Sequence, residues 1–304
     1  MNTPSNAIPE SFASRRIVPA AMSVTRPMYW SIRREVWENR SIYIAPLAVA
    51  AVTLFGFLIA TLGRALSVSN PAQRRAVLEE PYTFASLLIM GTTTVVAVFY
   101  CLDALHGDRR DRSILFWKSL PVSDLTTVLS KASIPLLILP LLTFAITVVL
   151  QLIMLSLSSL VLLGSGLSVA TLWTHFSFFP MSIMLLYHLV AIHGLWYAPF
   201  YGWLLLVSAW ARRAVFLWAA LPLLAIGVVE KIAFNTSHFG AMLGHRFTGG
   251  PEGAAFTAGG MSMDPLAHIH PGQFLISPGL WIGLAIAAAF LGAAVRLRRY
   301  QGPI

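Results

Sequence analysis

Charge is what this sequence has least of. Asp, Glu, Lys and Arg make up 11% of its 304 residues, against about 25% in soluble globular domains. Residues 132–211, eighty in a row, contain none of the four. No water-soluble fold dissolves such a stretch. A bilayer core accepts it, because each charge at a helix centre costs about 2.5–3.5 kcal/mol to insert. Cysteine is nearly missing as well. Cys101 stands alone inside an apolar run, so no intrachain disulfide can form and the redox compartment cannot be read from it.

Catalytic signatures are missing too. There is no G-x-x-x-x-G-K-[ST] loop for nucleotide phosphates, no G-x-S-x-G elbow and no H-E-x-x-H helix. Ion-coupled transporters keep carboxylates at mid-membrane, and none lies in the middle of an apolar run here. Asp103, at the inner end of the second run, is the nearest on its side. The chain is therefore not expected to be an enzyme by itself or to bind a cofactor, and energy for any transport has to come from elsewhere.

What is abundant is hydrophobicity, at 57% of residues. A spanning helix needs about 20 apolar residues. Six runs qualify, at approximately 42–62, 82–105, 134–163, 181–208, 214–234 and 274–295. The fifth is short before Glu230 and Lys231 and has to continue through Phe234 beside protein or thin the bilayer. The expected fold is an all-α integral membrane protein of six transmembrane helices. The first run starts about forty residues in, too late for the hydrophobic region of a signal peptide.

Orientation follows from the basic residues between the runs. With the N-terminus inside, sixteen Lys and Arg fall on the cytoplasmic side and five on the other (Arg64, Arg74, Arg75, Lys231 and Arg246). Both termini are thus expected in the cytoplasm. The net charge of +9 also invites a nucleic-acid reading, which needs basic residues gathered on a soluble face. Here they sit in short segments between apolar runs, and no nucleic-acid partner is expected.

Residues 1–26 read as a flexible cytoplasmic N-terminus, and 41–304 as a single six-span domain. Between them, residues 27–40 read as an amphipathic helix. Tyr29, Ile32 and Val36 share one face flanked by Trp30 and Trp37, while Arg34, Glu35 and Glu38 point the other way. With Arg33 and Arg40 at its rim, such a helix suits the membrane interface. A cytoplasmic extension of the first span is the alternative.

The loop 106–133 holds a mixed charge cluster, Asp108 to Arg112, then the apolar patch Ile114, Leu115, Phe116 and Trp117, with Pro121 as a stop. Ser123 or Asp124 can cap the next helix. A short helix with an aromatic knob rimmed by charge suits docking in a groove of a cytoplasmic partner. Ordinary positive-inside anchoring with Trp117 in the interfacial belt accounts for it equally. On the far side, residues 235–277 are Gly-rich and carry His238, His245, His268 and His270 with Met242, Met261 and Met263. Their spacing matches no defined metal site, and none is expected. His188 and His193, five apart on one helix, are not expected to share a face closely. Tyr187, Trp196, Tyr197, Tyr201 and Trp203 make the same helix strongly aromatic, fit to line an apolar cavity or to pack in the interface.

The run D-R-R-D-R-S-I-L-F-W-K-S-L-P-V-S-D (Asp108 to Asp124), followed by L-S-K, resembles the permease subunits of ABC-2 type transporters, which match the topology along the whole chain. That resemblance implies a homodimer or heterodimer of permeases on two copies of a separate ATPase subunit, which would use ATP and Mg. It implies an interfacial elbow helix (Trp30, Arg33, Arg34, Trp37, Arg40) and a coupling helix touching the ATPase (Arg109, Arg110, Asp111, Arg112, Ile114, Phe116, Trp117). It implies a substrate path lined by the second and fifth spans, with Thr92, Val96, Phe99, Phe216 and Leu223 as candidates, and export across the cytoplasmic membrane of a bacterium. A membrane anchor or assembly factor that moves no solute is the alternative. An intramembrane enzyme comes third.

Overall fold

A computed structural model describes residues 25–64, 71–119, 122–164, 178–250, 271–302 and 304. Among them every regular element is helical, and six helices are long and apolar enough to cross a membrane. In chain order these elements are α1 (Thr25–Glu38), α2 (Ser41–Arg64), α3 (Pro71–Arg110), α4 (Ser113–Ser119), α5 (Asp124–Ser133), α6 (Leu139–Gly164), α7 (Phe178–His188), α8 (Ala198–Trp210), α9 (Val215–Phe234), α10 (His238–Phe247), α11 (Pro271–Ile276) and α12 (Pro278–Tyr300).

Two joints are π-helical, Ile134–Ile138 between α5 and α6 and Leu189–Trp196 between α7 and α8. Proline explains the first. Pro135 and Pro140 have no N–H, so the i→i−4 ladder opens there, and Leu139 N donates five residues back to Ile134 O instead. At the second joint Tyr197 N reaches back to Ile192 O at 2.9 Å, just before Pro199. Each joint adds a residue to a turn; the first leads directly into α6, and at the second Tyr197 makes a turn before α8 begins. The third span therefore runs straight on from α5. The fourth span is Phe178–Trp196, and after a turn at Tyr197 the shorter apolar helix α8 follows, so the expected run 181–208 is divided in two.

Packing follows side-chain size and polarity. α8 and α12 approach most closely, where Gly202 meets Ala287 and an added Cβ would lie 3.3 Å from the Ala287 backbone. Small residues permit such contacts, which supply much of the association between helices in lipid. One core joins Ile42, Tyr100, Leu105, Val128, Ile134, Tyr201, Leu205 and Ala294. A second joins Phe57, Tyr82, Ile89, Leu150 and Met154. α9 is the outlier: Ala219 is its one buried residue.

The ends of the helices sort onto two faces. α1, the start of α2, the end of α3, α4, α5, the end of α8, the start of α9 and the end of α12 gather on one. Arg109 there bonds Ala209 O at the end of α8, and Ile304 N bonds Arg109 O. α10 and α11 lie on the other side of the bundle and pack on Trp196 through Arg246 and Phe274.

Candidate functional site

The densest chemistry lies on the face that carries α1, α4 and α5. Glu35 on α1, Asp108 on α3, Lys131 on α5 and Arg298 on α12 form a buried ion cluster. Lys131 Nζ sits 2.9 Å from Glu35 Oε1 and 3.3 Å from Asp108 Oδ1, with the three side chains 4%, 4% and 9% exposed. Arg298 Nη1 takes the other Asp108 oxygen at 2.9 Å. Its Nε lies 3.3 Å from Asp124 Oδ1, an ion pair without hydrogen-bond alignment. Tyr100 donates its hydroxyl to Glu35 Oε2 at 2.9 Å. Buried charges survive only when paired and hydrogen-bonded, and this cluster ties four helix ends into one unit.

Glu35 thereby corrects the reading of α1. Its neighbours Arg34 and Glu38 pair with each other at 2.6 Å in partial exposure, but Glu35 itself is buried. Ile32, Glu35 and Val36 follow the i, i+3, i+4 rule and share the face that α1 lays on the core. Trp30 and Trp37 are exposed, with the Arg33 guanidinium between them at 5.2 and 4.8 Å from their rings. Arg40 is exposed in the turn that separates α1 from α2. α1 packs on α5 and is a helix distinct from the first span.

α4 hangs between α3 and α5 from a left-handed residue, Arg112 (φ 59°). Ile114 is buried, and Leu115 and Phe116 are exposed; the side chain of Trp117 and residue Pro121 lie outside the described residues. Lys118 Nζ donates to Gln301 O at 3.0 Å, fastening α4 to the chain just after α12. Arg110 pairs with Asp111 at 3.0 Å and Asp103 at 3.5 Å in exposed positions, and the first contact holds the Asp111 carboxyl below its usual range. Arg109 differs from its neighbours. It is buried, with Nη1 donating to Ala209 O at 2.6 Å and Nε to Gly302 O at 3.4 Å. Its guanidinium holds chain ends together inside the fold. Ser123 caps α5, its hydroxyl accepting from Thr126 N at 3.0 Å.

An apolar cavity of about 420 Å³ opens between α3, α8 and α9. Phe216 and Leu223 line it together with Thr94, Val98, Tyr201 and Trp203. Thr92, Val96 and Phe99 do not. Thr92 bonds Leu88 O on its own helix, Val96 is buried in the core, and Phe99 points outward at 63% exposure. Phe247, at the end of α10, is also in the wall. Its ring stacks on Phe200 at 4.3 Å, and its carbonyl accepts from Tyr197 Oη at 2.8 Å. Beside it Arg246 covers Trp196 at 4.2 Å and donates to Gly279 O at 2.8 Å, and burial lowers its pKa.

His188 and His193 overturn the expectation from helical spacing. Their ring centroids lie 5.6 Å apart. Five residues make a poor match to 3.6 per turn, but the π-helical joint repeats at i, i+5 and puts them on one face. Of the His and Met set beyond α9, His245 packs edge-on against Trp196 at 5.8 Å. His268, His270, Met261 and Met263 lie outside the described residues. Among those described, no group of three or more His, Cys, Asp or Glu is placed to hold a metal.

Neither a protein-family model, nor a curated protein, nor a solved structure matches this chain.

Proposed function

We propose that the chain is the membrane-spanning subunit of an ATP-driven transporter of the ABC-2 permease type, with both termini in the cytoplasm of a bacterium and α1 lying in the membrane interface. The observation that carries the reading is α4. It is a seven-residue helix between the second and third spans, rooted by Ile114 and Lys118, and it turns Leu115 and Phe116 outward. An apolar pair rimmed by Arg110, Asp111 and Arg112 suits the groove of a cytoplasmic ATPase, two copies of which would serve a pair of permeases.

Force applied to α4 has a route inward. Asp108 and Lys131 flank α4 in the chain, and buried ion pairs lock them to each other, to α1 and to α12. A push on α4 then moves those helix ends together and leaves the loosely packed α9 behind, which changes the cavity between α3, α8 and α9. In this reading Arg109 is a positioning residue, while Arg110, Arg112, Phe116 and Trp117 make the contact. Among the described residues the cavity wall holds no charged side chain, which fits an apolar or amphipathic substrate moving outward. ATP and Mg belong to the partner.

The test is co-purification. Replacing Phe116 and Trp117 with Ala is expected to leave insertion intact and to release a stoichiometric P-loop ATPase that accompanies the wild-type chain. If no ATPase accompanies the wild type, or the variant keeps it in full, the reading fails.

A further inference from the structure

On the same face, where α8 turns into α9, two adjoining clefts of about 640 and 490 Å³ share Arg212, Gln301 and Ile304 in their walls. Arg213 lines the larger cleft, and the Arg109 side chain closes the back of the smaller. Among the described residues, neither cleft is lined by an Asp or Glu. The six described side-chain carboxylates of this face (Glu35, Glu38, Asp103, Asp108, Asp111 and Asp124) are all ion-paired elsewhere. Arg212 and Arg213 are exposed, and among the described residues neither has a carboxylate within 4 Å.

Two further features say what kind of anion would fit. The turn between Trp210 and Val215 joins two apolar helices, so it sits at the membrane surface if those helices span. Trp210 and Trp218 meet edge to face at 4.9 Å in the wall of the larger cleft, each close to half exposed. Trp prefers the headgroup level, where its ring is in the apolar region and its N–H is in the wet one. α9 also starts there without a side-chain cap, after left-handed Ala214 (φ 51°), and its positive end adds to the field.

We infer that this cleft binds the phosphodiester headgroup of an anionic phospholipid of the adjacent leaflet, Arg212 and Arg213 taking the phosphate and Trp210 and Trp218 lying along the upper acyl chain. Arg suits the task because its planar fork donates two hydrogen bonds to one phosphate. The inference needs the membrane-spanning fold and not the transporter reading, so the two fail separately.

The experiment uses the purified full chain in detergent, with retained ligand read by native mass spectrometry. The probes are dioctanoyl phosphatidylglycerol, dioctanoyl phosphatidylcholine and inorganic phosphate. The wild type is expected to retain the glycerol lipid and not the choline lipid. R212A/R213A is expected to lower that retention roughly thirty-fold, from about fivefold per basic contact. R212K/R213K keeps the charge and is expected to fall between them. Equal retention of both lipids by the wild type overturns the site whatever the variants do. Unchanged retention in R212A/R213A does the same. Competition by inorganic phosphate as strong as by the lipid reassigns the cleft to a soluble anion. Unchanged retention together with loss of a co-purifying ATPase makes these arginines a protein-docking patch.

Discussion

Lys131→Met tests whether the ion cluster holds together the face of the bundle that carries α1, α4 and α5. Methionine keeps the length and the apolar stem, so packing changes little. What disappears is the cation 2.9 Å from Glu35 and 3.3 Å from Asp108. Glu35 is then left with the Tyr100 hydroxyl, and Asp108 with Arg298. Three carboxylates faced two cations in the cluster, and three now face one. Removing one partner of a buried pair costs about 3–5 kcal/mol, because the other charge stays buried without compensation. Glu35→Gln in the same background removes the stranded charge and is expected to restore about half of that loss. The two changes couple, so the double variant should be more stable than the sum of the single ones by roughly 1–3 kcal/mol. Unfolding in mixed micelles of increasing sodium dodecyl sulfate measures all four species. Loss in the single variant should also be insensitive to salt, since buried pairs are screened little. A cost below about 1 kcal/mol, or strict additivity, would refute the reasoning and show the cluster to be hydrated.

Three further outcomes are expected. Gly283 faces the Arg246 guanidinium with no room for a Cβ, so Gly283→Leu should push Arg246 off Trp196 and cost about 1–3 kcal/mol, measured in the same assay; no change would mean the contact is loose. His193→Phe should leave stability unchanged or raise it, because His193 Nδ1 is buried with no hydrogen-bond partner among the described residues and an apolar ring removes that penalty. A loss above about 2 kcal/mol would contradict it. Under the proposed transporter reading, Ala220→Trp should fill part of the 420 Å³ cavity and lower transport of a bulky substrate, with melting unchanged; full transport would refute the cavity as a substrate path.

Much of the fold was legible in the sequence because lipid is a severe solvent. An uncharged run of about twenty residues has few fates other than a spanning helix, as every backbone N–H and C=O has to be satisfied within the segment. The cap at Ser123 was legible for a similar local reason. Glu35 was not, since a glutamate flanked by Arg34 and Glu38 reads as solvent-facing until Lys131 is brought beside it. The spacing of Ile32, Glu35 and Val36 was the available signal. The histidine pair was missed because counting at 3.6 residues per turn assumes an unbroken ladder. The cavity wall was half legible. Phe216 and Leu223 lie in it, but on α3 it is Thr94, Val98 and Leu102 that line it, and not Thr92, Val96 and Phe99. Both sets repeat about every four residues on an apolar helix, so nothing in the residue types separates them.

The sequence by itself determined how many helices can cross a membrane, because burying apolar surface and backbone polar groups depends on local composition. Tertiary structure decided which charges meet. Glu35, Asp108, Lys131 and Arg298 are far apart in the chain, and their pairing exists only once α1, α3, α5 and α12 have packed. It also decided which arginines are spent inside, as Arg109 and Arg298 are, and which are left facing outward, as Arg212 and Arg213 are. Electrostatic energy depends on distance and burial, and neither is a property of a residue's place in the chain.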